Sequence, residues 1–126
     1  MTRGDIEAYG SELNQVWTNI LDNAADALGG KGRIAIRTRR EGESLAIEIE
    51  DNGPGIPPDI QGKVFDAFFT TKPPGHGTGL GLHISYNIVV QRHRGSIDLL
   101  SEPGSTRFTI RLPLGFAAAE APKQHR

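Results

Sequence analysis

Apolar residues return at three- and four-residue steps across residues 11–28 (Leu13, Val16, Trp17, Ile20, Leu21, Ala24, Leu28). They then return at every second position across 33–40 and again across 45–50. No other feature constrains the chain more, because a helix repeats its face about every 3.6 residues whereas a strand repeats every second one. A helix therefore precedes two strands, with Ser11 as its candidate N-cap, Gly29 as its stop and Glu41-Gly42-Glu43 as the hairpin connection. Further on, Pro57 and Pro58 open a short helical segment toward Phe65, and the Pro/Gly-rich residues 70–79 read as a loop. Residues 80–91 resume a helical pattern, 97–100 and 107–112 read as strands, and Gly104 lies in the turn between them. There is room for one more short strand at residues 5–9. The order predicts an α+β fold, a two-layer α/β sandwich in which one sheet, expected to be mixed, carries its helices on one face.

With 126 residues of which 37% are hydrophobic, one core suffices. We divide the chain into a domain at 1–114 and a flexible C-terminal tail at 115–126, where the composition turns Ala-rich and ends in Lys123-Gln124-His125-Arg126. Lys plus Arg number 14 against 15 for Asp plus Glu, a net charge of -1, which builds no field to gather nucleic acid or an acidic membrane. No apolar run approaches the ~20 residues of a membrane span and the first residues lack a leader-like stretch, so a cytoplasmic location is expected. The absence of cysteine excludes a thiol nucleophile, a disulfide framework and a Cys-based zinc site.

Four segments carry chemistry; in one, residues 64–72, three phenylalanines suited to a core precede Lys72, which could reach a phosphate as a mobile charge. Gln15, Asn19 and Asn23 stand four apart on the first helix and project from one side; their carboxamides offer oxygen to a hard cation and NH₂ to phosphates. The strand 45–50 runs into Asp51-Asn52-Gly53-Pro54-Gly55-Ile56-Pro57, where Asp51 is suited to accept a hydrogen bond from an adenine amine and the glycines let the chain turn close to a base. Gly75-His76-Gly77-Thr78-Gly79-Leu80-Gly81-Leu82 leads into a helix and can surround phosphate, although neither a Walker A loop nor G-x-G-x-x-G occurs. Taken singly, the same segments also suit a solvated helix face, an Asn-Gly turn and a linker.

In this order, and over residues 12–114, the segments resemble the nucleotide-binding boxes of the histidine kinase branch of the gyrase, Hsp90, histidine kinase and MutL ATPase superfamily. Residues 12–27 resemble the N box and 51–57 the first glycine box. Residues 65–72, with Phe-Phe-Thr-Thr-Lys, resemble the F box of nitrogen-regulation-type sensors, and 77–82 the second glycine box. The resemblance implies the Bergerat fold and the ATP-binding catalytic domain of a sensor histidine kinase. Such a domain passes the ATP γ-phosphate to a histidine on a separate dimerisation domain for relay to the receiver domain of a response regulator.

By the same resemblance ATP and Mg²⁺ are the cofactors, with Asn23 as the metal ligand and Asp51 on the adenine amine. Gly53, Gly55, Ile56 and Thr106 would lie at the base, and Gly77, Thr78, Gly79, Leu80, Gly81 and Leu82 around the phosphates. Phe65, Phe68, Thr71 and Lys72 would belong to a lid, with Asn19 and Lys72 serving catalysis. Asn19 occupies the place where the hydrolysing relatives carry a glutamate that activates water, and a carboxamide is no base at neutral pH. Pro103-Gly104-Ser105-Thr106-Arg107-Phe108 keeps the Thr and Phe of the last glycine box but only one glycine, and Asp26 stands where many histidine kinases place a basic residue. None of His76, His83, His93 and His125 is followed by Asp or Glu, so the phosphoacceptor motif is absent. The isolated chain is therefore expected to be a monomer without a histidine substrate of its own and without membrane contact. A regulatory nucleotide-binding module of the same fold, lacking transfer activity, is the alternative.

Overall fold

The computed structural model describes residues 10–70 and 79–114. The first helix, α1, runs Gly10–Leu28; the strands β1 (Ile34–Glu41) and β2 (Ser44–Asp51) follow, then the short helix α2 (Pro58–Gln61). Helix α3 (Gly81–Tyr86) continues into a π-helical segment, Asn87–Arg92, and β3 (Ser96–Glu102) and β4 (Ser105–Pro113) close the order. The strands lie in the order β1-β2-β4-β3, each neighbouring pair antiparallel. A mixed sheet would need a parallel pair, and none lies among the described residues; the possible strand at 5–9 falls outside them, as does the proposed tail at 115–126. The physical reason for the antiparallel order is local. Both hairpins turn through two residues, Gly42-Glu43 and Pro103-Gly104, and tight turns join antiparallel neighbours.

Period-two patterning assigns the two sheet faces. Ile47 opposes Ile110 and Ile49 opposes Phe108, so β2 and β4 send one apolar row inward. That row meets Leu13, Val16 and Ile20 of α1 and Leu82, Ile88 and Val89 of the second helical stretch in one core. The opposite face is a lattice of charges. Glu48 of β2 pairs with Arg39 at 2.6 Å, Arg37 at 3.4 Å and Arg107 at 3.8 Å, and Arg111 joins Glu41 to Asp98.

The expected helix at 80–91 differs in its second half. After α3 the bonding widens to the π form, and the segment ends where the His93 ring meets the Ile88 carbonyl through Nδ1 at 2.9 Å and the Gly95 N–H donates to the Val89 carbonyl at 2.8 Å. These contacts replace the bonds that a regular final turn would make, and they bury His93 to 1% exposure. No helix among the described residues is long and apolar enough to cross a membrane.

Candidate functional site

α1, the loop after β2 and the start of α3 enclose a cleft of about 610 Å³, with β4 beneath it. That volume lies within the span of small-molecule sites, about 300–1,000 Å³. Asn19, Asn23, Asp51, Gly55, Ile56, Gly79, Gly81, Leu82 and Thr106 all line it, so residues from four separate stretches of sequence converge.

At one end Asp51, the last residue of β2, is only 5% exposed. Burial pushes its carboxyl above the ordinary aspartate range; the Gly53 N–H draws it back and the Glu50 charge adds to the rise. Oδ1 accepts that Gly53 N–H at 2.9 Å, and the other oxygen has no donor among the described residues. A buried acceptor on a cleft wall invites a ligand donor. Thr106 stands directly opposite Asp51 in the β2–β4 register, which places both at this end despite the missing glycine of the β3–β4 turn.

Gly53 itself does not line the cleft. It is buried against the Ala27 carbonyl of α1 and gives its N–H to Asp51. Gly55 has φ 90°, and a Cβ on it would collide with the Glu102 carbonyl of β3. Beside it the Ile56 N–H donates to Ser101 Oγ at 2.7 Å, Ser101 Oγ lies 3.0 Å from Thr106 Oγ1, and Gln61 Nε2 donates to the Ile56 carbonyl at 2.8 Å. Ser101 and Gln61 thus buckle the glycine loop to the sheet. Sequence reasoning missed both, since a serine inside a strand and a glutamine on a short helix carry no motif.

The other end is polar. Asn19 Nδ2 donates to the Gly81 carbonyl at 3.0 Å and to Ser85 Oγ at 3.2 Å. Asn23, one turn later, lines the cleft with its carboxamide unpartnered among the described residues, and Asp22 and Asp26 share this wall. Gln15 is exposed and away from the cleft.

Two F-box expectations change. Phe68 does not line the cleft: it is 71% exposed at φ 68°, and its N–H donates to the Gly79 carbonyl at 2.7 Å. That bond brings Gly79 so near that a Cβ there would run into the Phe68 backbone, which leaves Phe69 to line the site instead. Phe65 belongs to the core, its ring 5.4 Å from Tyr86 and 6.1 Å from Phe108. Leu80 precedes α3 without reaching the cleft. Thr71, Lys72, Gly77 and Thr78, with His76 and His125, lie outside the described residues. Of the remaining histidines, His83 sets Nδ1 3.1 Å from the Phe65 carbonyl and Nε2 3.3 Å from Asn87 Nδ2, and His93 is enclosed by its own loop.

Comparison with known proteins agrees with this geometry. The model of the histidine kinase-, DNA gyrase B- and HSP90-like ATPase family matches residues 9–115. Over 104 residues the chain is 48% identical to the signal transduction histidine-protein kinase AtoS of Escherichia coli, covering 81% of this chain and 17% of AtoS. Over 115 residues it is 42% identical to the sensory histidine kinase/phosphatase NtrB of Vibrio alginolyticus, covering 82% and 32%. The chain therefore spans a third or less of these relatives. Among solved structures, the catalytic domain of the histidine kinase ThkA in a nucleotide-free form superposes with a TM-score of 0.79 at 33% identity, covering 87% of this chain and 72% of that one. The mycobacterial sensor histidine kinase MprB does so with a TM-score of 0.77 at 31% identity, covering 87% and 77%.

Proposed function

Because the chain belongs to the histidine kinase-, DNA gyrase B- and HSP90-like ATPase family, as the ATP-binding catalytic domain of a sensor histidine kinase, we propose that it presents ATP to a histidine on a separate dimerisation domain. In that transfer an imidazole nitrogen attacks the γ-phosphorus in line, the bond to the β-phosphate oxygen breaks, and ADP leaves with the electron pair. The phosphoryl group then passes to the receiver domain of a response regulator. The observation that carries the reading is Asp51, a buried carboxylate on the wall of a nucleotide-sized cleft whose second oxygen has no donor among the described residues.

The residues divide the work by position. Asp51 accepts the exocyclic amine of adenine and meets a carbonyl in guanine, which sets the choice of base. Gly55 and Ile56, fixed by Ser101, flank the base, and Thr106 lies across from Asp51. Gly79, Gly81 and Leu82 border the phosphate end, to which Gly77, Thr78, Thr71 and Lys72 are assigned by their place in the sequence. Asn23 presents on the cleft wall a carboxamide oxygen unpartnered among the described residues, a hard donor suited to Mg²⁺, which when bound would neutralise phosphate charge. Asn19 offers no base to a water molecule, so the nucleotide is kept for transfer.

Calorimetric titration with ATP, with and without Mg²⁺, tests the reading beside Asp51→Ala and Asn23→Ala. Binding of ATP but not GTP, lost in Asp51→Ala and no longer Mg²⁺-dependent in Asn23→Ala, is the expected result. Absence of any nucleotide binding by the wild type would overturn it. Incubation with γ-labelled ATP and a histidine-bearing dimerisation domain then separates a kinase from a module that only binds.

A further inference from the structure

Ser85 has no role in the reading above, yet it is one of the most completely enclosed side chains of the protein, at 0% exposure. A buried hydroxyl is costly unless it is hydrogen-bonded, and alanine would fill an apolar helix contact at no such cost. Its recorded partner is Asn19 Nδ2, 3.2 Å away on α1, and the same NH₂ lies 3.0 Å from the Gly81 carbonyl. Gly81 and Ser85 stand one turn apart on α3, so a single NH₂ reaches both. The contact with a carbonyl fixes which way the amide points, because only the nitrogen can donate there. Both amide hydrogens are then taken by α3. Among the described residues Oδ1 has no partner, and it belongs to a side chain that lines the cleft.

Resting on the nucleotide-binding reading, we propose that Ser85 is a positioning residue. Together with the Gly81 carbonyl it holds the Asn19 carboxamide with its oxygen toward the cleft, and it locks the first turn of α3, which borders the phosphate end, onto α1. Asparagine at position 19 is thereby required as a donor, beyond being a group that fails to activate water. A glutamate there would set an acceptor against the Gly81 carbonyl and undo the lock.

Two readouts test this, one of them independent of nucleotide. In amide NMR spectra of the nucleotide-free protein, the two Asn19 side-chain N–H signals should exchange slowly with water, and Ser85→Ala should shift them and speed the exchange of one. In calorimetry, Ser85→Ala should weaken Mg·ATP binding about three- to tenfold, the range of one lost hydrogen bond, while adenosine binding at the Asp51 end stays within about twofold. Asn19→Ala should weaken Mg·ATP similarly, and the double variant should be no weaker than the weaker single one. Should Ser85→Ala fail to fold, Asn19→Asp, which keeps the shape and removes the donor, should give the same split between Mg·ATP and adenosine. Additive losses, a parallel fall in adenosine affinity, or Asn19 signals indifferent to Ser85→Ala would overturn the proposal. A wild type that binds neither ligand overturns the nucleotide reading, and the lock between α1 and α3 is then decided by the NMR signals alone.

Discussion

Asp51 bears two opposed demands. Burial raises its carboxyl pKa above the ordinary value of about 3.9, so the folded chain favours the protonated form more than the unfolded chain does. Stability from this residue is therefore highest in acid, declines as pH rises from the unfolded value through the raised one, and is flat above it. Nucleotide binding has the opposite slope, because the ionised oxygen is the better acceptor, and ATP affinity should climb through the same raised pKa. Asp51→Asn separates the two. Gly53 holds Oδ1 as an acceptor, so the new NH₂ faces the cleft and meets the adenine amine donor to donor. Calorimetry should show ATP affinity falling at least tenfold with GTP relatively favoured, while thermal unfolding at neutral pH shows no loss of stability. A variant that bound ATP as tightly as the wild type would remove Asp51 from the base site.

The loop between β2 and α2 is an element with few hydrogen bonds of its own, fastened chiefly by its neighbours. Ser101→Ala leaves the Ile56 N–H without its acceptor and Thr106 without its hydroxyl neighbour. About 1–2 kcal/mol of stability in chemical unfolding should be lost, with adenosine binding weakened too, since the displaced loop flanks the base. Gly55→Ala should act on the same element more strongly, by forcing a side chain at φ 90° against the Glu102 carbonyl. These contacts mark what was legible in the sequence. Periodicity reported α1 and both hairpins because each repeats over enough residues to show its face; Asn19 and Asn23 were legible as carboxamides four apart on a helix, and Asp51 as a strand-end carboxylate before Gly53 and Gly55. Ser101 and Ser85 were not, since their partners lie 45 and 66 residues away and no local pattern records such a pairing. The π-helical segment escaped because it shares the helical spacing over a single turn, and Phe68 escaped because its positive φ is imposed by the bond to Gly79.

At the scale of the molecule, the helices cover one sheet face and leave the other to a lattice of arginines and carboxylates that joins all four strands. Hydrogen bonds from the arginines hold three carboxyls below their usual range: Arg39 on Glu48, Arg111 on Glu41 and Arg37 on Glu50. A carboxyl with a depressed folded pKa adds stability above its unfolded value of about 4.3 and loses it as pH falls through the folded one. The stability these three groups contribute should therefore fall below about pH 4, against the opposite trend of Asp51. Asp51→Asn should make that loss set in at higher pH, because it removes a group that gains on acidification. Within the lattice Glu48 is the keystone: three arginines from β1 and β4 meet on a side chain that is itself 9% exposed. The arginines are 36–54% exposed, which screens each pair, so Glu48→Gln should cost about 1 kcal/mol at neutral pH. The same variant should flatten the acid limb of the stability curve, and about 1 M salt should narrow its difference from the wild type. Urea unfolding across pH and salt measures all three effects. A Glu48→Gln curve parallel to the wild type in acid would place the acid sensitivity elsewhere than in this lattice.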